Sequence, residues 1–187
     1  YISPTMPLAD TAGEWASVGV FERIPAYVKG EPVRKVLLNA QVWEAEGVQV
    51  YLDDVDLYII ESGENVDGNT TLTRNSSFED GFLSPVPWAF WNAIRIGTIE
   101  RVEDVARTGE SSLKISHLER GGPYQYLERQ SGQIVTQLYY TTPAGTATEG
   151  TVTLNLHAYG KNNARLATYS SNAFPIQDTA GEWIPLW

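Results

Sequence analysis

The words at one end of this sequence return at the other. Leu8–Trp15 reads LADTAGEW and Ile176–Trp183 reads IQDTAGEW. The match extends at a constant offset of 168 residues, aligning Tyr1 with Tyr169, Ser3 with Ser171 and Pro7 with Pro175. Of the fifteen aligned pairs from Tyr1 to Trp15, nine are identical, and Met6/Phe174 and Leu8/Ile176 are conservative. Gly, Thr, Asp and Ala are common in turns, but fifteen ungapped positions are a poor match for chance. Nothing between Trp15 and Tyr169 repeats in this way. A period of 168 residues is too long for a solenoid unit and has the size of a whole domain. The chain reads as one period of a tandem array, with the same element at both ends.

Between those ends, apolar residues alternate. TVTLNLHAYG (Thr151–Gly160) puts Val152, Leu154 and Leu156 on one face and Thr and Asn on the other. VRKVLLNAQVW (Val33–Trp43), GVQVYLDDVDLYII (Gly47–Ile60), SSLKISHL (Ser111–Leu118) and GQIVTQLYY (Gly132–Tyr140) have strand length and strand composition. The clusters KGEP, ESGENVDGNTT, RTGES, ERGGP, TTPAGTATEG and GKNN read as turns. No segment sustains a 3.6-residue apolar period, and the one place for short helical turns is near PVPWAFWNA. Many short strands separated by turns predict an all-β protein, an antiparallel β-sandwich.

Composition sets bounds on partners. Apolar residues make up 42% and charged residues 19%, enough for a packed core. There is no cysteine, which excludes disulfides, a thiol nucleophile and cysteine-based zinc sites. The formal charge of −10 repels phosphate backbones and argues against nucleic acid. It suits Ca²⁺, neutral sugars or plain solubility. No apolar run approaches the roughly 20 residues that span a bilayer, so no membrane insertion is expected. The start at Tyr1, without an initiator Met or signal peptide, reads as a mature fragment or processed product.

More specific are NSSFEDGF (Asn75–Phe82), Pro87–Trp88, ARTGESSLKIS (Ala106–Ser116) and GGPYQYLERQ (Gly121–Gln130). In that order they resemble the opening half of a carbohydrate-binding module of the family 4, 9 and 22 type, galactose-binding-like jelly rolls. DTAGEW followed by PVRKVLLNAQVWEAEGVQVYLDDVDLYI resembles the closing half of the same module. The closing half comes first. The resemblance thus divides the chain into residues 1–62, the end of one sandwich, a linker at 63–72, and residues 73–187, the start of the next. Two arrangements complete the second module. Residues 1–62 fold back onto 73–187 as one circularly permuted domain, or an adjacent copy supplies the missing strands. One sandwich has room for one TAGEW strand, which favours either the second arrangement, with self-association of identical copies, or a simple excision from a longer chain.

The resemblance implies a structural Ca²⁺ ion where the first and last strands meet. Asp53, Asp54 and Glu79 match the carboxylates of its DD and FE motifs, with the Gly109–Ser112 backbone nearby. A hard cation of this kind takes several oxygens, which clustered carboxylates supply. Trp43, Trp88, Trp91, Tyr124, Gln125 and Tyr126 are candidates for a sugar platform, in which pyranose faces stack on rings and amides read hydroxyls. Trp88 also matches the family's buried core tryptophan. Tyr124 and Tyr126 flank Gln125, so both point to one side of a strand. Asn69 and Asn75 stand in N-x-S/T sequons.

No catalytic residue emerges. His117 and His157 lie on strand runs without a Ser, Asp or metal-type companion at motif spacing, and read as surface or packing residues. There is no G-x-S-x-G, H-E-x-x-H or phosphate loop. The expectation is a non-catalytic, extracellular or cell-surface sandwich repeat, structural or adhesive, that builds a surface layer or filament by strand sharing. The alternatives are a glycan-binding accessory module of a polysaccharide-degrading enzyme, or a phage or virion fibre or decoration domain.

Overall fold

The computed structural model describes residues 24–60, 71–80, 88–92, 96–129, 133–146 and 149–186. They form β1 (Tyr27–Val28), β2 (Glu31–Pro32), β3 (Lys35–Ile60), β4 (Ala89–Asn92), β5 (Thr98–Val102) and β6 (Ser112–Glu128). There follow β7 (Gln133–Thr141), β8 (Thr151–Tyr159), β9 (Arg165–Ser170), β10 (Phe174–Pro175) and β11 (Ile184–Leu186). Among the described residues the only helical piece is a 3-10 turn at Lys161–Asn163. Every strand pair is antiparallel, and the chain is all-β as its alternation predicts.

Two long strands organise the molecule. The runs Val33–Trp43 and Gly47–Ile60, read as separate, join in the 26-residue β3, which begins at Lys35. Its register slips between Ala45 and Gln49 against β6, and between Asp53 and Asp56 against β7. Glu44 and Asp54 take φ of +54° and +47° at these bulges, where an extra residue bends the strand without breaking it. The 17-residue β6 runs alongside, with His117 at φ +54°.

The first half of β3 lies between β8 and the second half of β6, and β4 and β9 extend this half-sheet outward. The second half of β3 lies between β7 and the first half of β6, flanked by β11 and β5. The buried faces merge in one apolar cluster. Leu38, Val42 and Leu154 enter it from the first half-sheet, and Leu52, Leu113 and Leu138 from the second. Within this chain, then, the long strand from residues 1–62 lies between strands from 73–187. Trp15, Asn69 and residues 61–70, which hold most of the linker, lie outside the described residues.

Two sequence readings need correction. ERGGP is strand, not turn: Gly121 and Gly122 sit inside β6. A Cβ on Gly121 would collide with the Trp91 carbonyl, and one on Gly122 with the Ala40 carbonyl. Glycine is needed there for close backbone approach, not for chain reversal. The described strand of PVPWAFWNA is also extended, because Ala89–Asn92 pairs with Gly121–Tyr124. Gly122 has φ +150°, which side chains rarely adopt. Gly122→Ala is expected to destabilise the protein by about 3 kcal/mol or more, combining strain and a backbone clash in the sheet centre. Urea unfolding measures the loss.

Candidate functional site: an aromatic and cationic groove

Strand alternation creates the site. In the first half of β3, Val36, Leu38, Ala40 and Val42 point into the core. Leu37, Asn39, Gln41 and Trp43 therefore point to the other face. The register places Tyr126 and His157 on either side of Leu37, Tyr124 beside Asn39, and Arg120 beside Trp43. Trp91 of β4 stands opposite Gly122 of β6. Arg165 of β9 pairs with Tyr159 of β8 at the far margin. The result is an open groove of about 430 Å³, with Asn39, Gln41 and His157 among its polar groups.

Its rings and cations are interleaved. The Arg120 guanidinium lies 4.1 Å from the Trp43 ring centre and 5.5 Å from that of Trp91. Lys35 Nζ lies 4.1 Å from the Tyr126 ring centre and 5.7 Å from that of Tyr159. Such contacts hold long cationic side chains in defined places while their donors stay free for a ligand. Tyr126 meets Tyr124 edge-on at 6.0 Å and Tyr159 at 5.9 Å. Burial, then the neighbouring Tyr159 and Tyr124, raise the Tyr126 phenol above its ordinary value, so it stays protonated and can donate. Burial, then the charge of Arg165, lower the His157 imidazole below its ordinary value. His157 Nδ1 sits 2.9 Å from Thr168 Oγ1.

Of the residues the sequence nominated, Trp43, Trp91, Tyr124 and Tyr126 come together here. Trp88 and Gln125 do not. Trp88 is 3% exposed, packs with its ring centre 5.6 Å from that of buried Phe78 in a tilted contact and donates its indole N–H to the Asn75 carbonyl at 2.8 Å. Gln125 is 2% exposed, accepts from the Arg74 N–H at 2.9 Å and donates to the Arg74 carbonyl at 3.0 Å. Both anchor the 71–80 segment from the core side. Asn75, in its sequon, closes that segment by donating to the Asp80 carbonyl at 2.7 Å and accepting from the Asp80 N–H at 2.9 Å. Sequence reasoning missed Arg120, Arg165, His157 and Tyr159. The i, i+2 spacing of His157 and Tyr159 was the available signal, because it puts both on one strand face.

Asp53, Asp54 and Glu79 converge on a single loop, residues 107–111. Asp53 is fully buried; its Oδ2 accepts from the N–H groups of Arg107 at 2.8 Å and Thr108 at 3.2 Å. Its Oδ1 accepts from the Asp54 N–H at 2.8 Å. Asp54 accepts from the Thr108 hydroxyl at 2.7 Å and forms an ion pair with Arg107. Glu79 accepts from the N–H of Glu110 at 3.1 Å and of Ser111 at 2.9 Å. Their partners are N–H groups, a hydroxyl and a guanidinium, whereas Ca²⁺ takes an oxygen shell of roughly six to eight ligands. Among the described residues, no group of three or more His, Asp or Glu is placed to hold a metal ion. As arranged, these carboxylates face a donor-rich loop.

Burial raises the Asp53 carboxyl to about 7, with the adjacent Asp54 charge adding to the rise and the Arg107 N–H opposing it. Comparison of the chain with protein-family models, curated proteins and solved structures finds no match.

Proposed function

We propose that this chain is a non-catalytic, extracellular sandwich module of the carbohydrate-binding type. Its groove holds an acidic polysaccharide, one carrying uronate or similar carboxylates. The observation behind this reading is the composition of the groove wall. In a chain of net charge −10, the wall carries Arg120 and Arg165, with Lys35 beside them. Among the described residues no Asp or Glu lines it, and Glu128 stands opposite Lys35 at its edge. Among the described residues, none of these three cations forms a salt bridge. Overall charge points to a neutral sugar, but a ligand responds to the local field of the cleft it enters. Rings for pyranose faces, the Gln41 amide for hydroxyls and guanidinium forks for carboxylates make a coherent set.

The same lining supports binding without hydrolysis. Two-carboxylate glycosidases place an acid and a base or nucleophile across the scissile bond. Among the described residues the wall supplies no such pair. Two half-sheets around one core also suit the jelly-roll resemblance.

Affinity electrophoresis tests the reading. The protein is expected to be retarded by polygalacturonate or alginate, less so in high salt as charges are screened. Neutral xylan and β-glucan are expected to retard it less. Retardation by neutral chains alone overturns the acidic ligand class, and none by any polysaccharide overturns glycan binding itself.

A further inference from the structure

The C-terminal copy of the repeated element occupies a seat that reads its side chains individually. Ile176 is 1% exposed and its N–H donates to the Gly150 carbonyl at 3.0 Å. Thr179 is 8% exposed; its N–H donates to Thr142 Oγ1, and its Oγ1 accepts from the Thr142 N–H, both at 2.9 Å. Asp178 Oδ2 accepts from the Gly145 N–H at 2.8 Å. Gly181, at φ +90°, donates its N–H to the Thr142 carbonyl at 2.9 Å. The chain then enters β11, which pairs with β7 and buries Leu186. The seat is therefore the Thr141–Gly145 rim, Gly150 and the edge of β7.

All the side chains that this seat selects recur near the other end of the sequence. Leu8 stands for Ile176, and Asp10, Thr11 and Gly13 are identical to Asp178, Thr179 and Gly181. Each chain thus carries two copies of the element, while the described residues form one seat for it. We propose that the seat accepts Leu8–Trp15 of a second copy of this chain in place of its own Ile176–Trp183, so that chains join head to tail. A contact of this kind uses different surfaces on its two partners and propagates into a filament unless the rotation closes a ring. The resident copy has two advantages. It is tethered, which raises its effective concentration. It also continues into Ile184-Pro185-Leu186, where the other copy has Ala16-Ser17-Val18. Exchange is therefore most visible when the resident copy is weakened.

The test uses the full chain with D178A and T179V, which alter the resident copy and leave the seat intact. Light scattering after gel filtration is expected to show a mass that rises with concentration, beyond that of the unmodified chain. Adding D10A and T11V is expected to return the mass to that of a monomer. A labelled synthetic peptide of residues 1–19 is expected to bind the D178A/T179V chain at least ~10-fold more tightly than the unmodified chain, because the tethered competitor is weakened. The same peptide with T11V is expected not to bind. If the double variant does not fold, D178A alone, which removes the bond from Gly145 N–H and a local one from Ala180 N–H at an exposed side chain, is read in the same way. A folded variant that stays monomeric at all concentrations and binds the peptide no better than a scrambled one overturns the proposal. Glycan binding is a separate readout, so failure of one proposal leaves the other standing.

Discussion

Arg120→Ala is expected to weaken binding of an acidic oligosaccharide by about 10- to 100-fold, the range for losing a charge-assisted hydrogen bond. The position explains the size. Arg120 is exposed yet held between Trp43 and Trp91, with ring centres at 4.1 and 5.5 Å. Its planar fork therefore meets a carboxylate already oriented, and little side-chain freedom is lost on binding. Arg120→Lys keeps the charge but loses the flat stacking surface and the fork, so its affinity is expected to fall between the two. Stability is expected to fall by about 1 kcal/mol or less, the scale of an exposed cation–π contact. Calorimetric titration with an oligogalacturonate and with a neutral oligosaccharide separates the effects. The loss is expected to be greater for the acidic ligand, and equal losses would remove the electrostatic part of the account.

The second large effect concerns stability and pH. Burial puts the Asp53 carboxyl at about 7 in the folded protein, against 3.8 for an ordinary aspartate. Between those values the native state holds a proton that the unfolded chain has released. Stability therefore falls as pH rises through this window, and levels off above it. From pH 5 to pH 8 the Asp53 contribution amounts to a loss on the order of 3 kcal/mol. Asp53→Asn removes the titration. It also turns an amide N–H₂ towards either the Asp54 N–H or those of Arg107 and Thr108, a constant penalty. The variant is expected to be less stable than the parent at pH 5, and to recover on the order of 3 kcal/mol relative to it by pH 8. Urea midpoints across that range give the answer, and parallel pH profiles would show that Asp53 is ionised throughout.

The period-2 pattern made the strands legible, because a half-buried strand must alternate. Val152, Leu154 and Leu156 are buried as read from TVTLNL. Continuity across the bulges was not legible. EAEG and ERGG are rich in residues that also make turns, and only the partner strands show that Gly121 and Gly122 serve close packing. Tyr124 and Tyr126 were placed on one face by parity alone, and they share it. Parity likewise sends Gln125 inward, but sequence alone cannot say that the inner side is core and not cleft. The meeting of Trp43 with Trp91 through Arg120 depends on the register of β3, β6 and β4, set by long-range pairing that no local window contains. The grouping of Asp53, Asp54 and Glu79 came from the family resemblance; whether these carboxylates face donors or a cation depends on the loop opposite.

The most direct test is a titration of ¹⁵N-labelled protein with an oligogalacturonate, following the indole N–H signals of the six tryptophans. Those of Trp43 and Trp91, at the groove, are expected to shift with ligand. That of Trp88, bonded to the Asn75 carbonyl in the core, is expected to stay in place. Binding that leaves Trp43 and Trp91 unmoved would contradict the location of the site, and no binding at all would contradict its function.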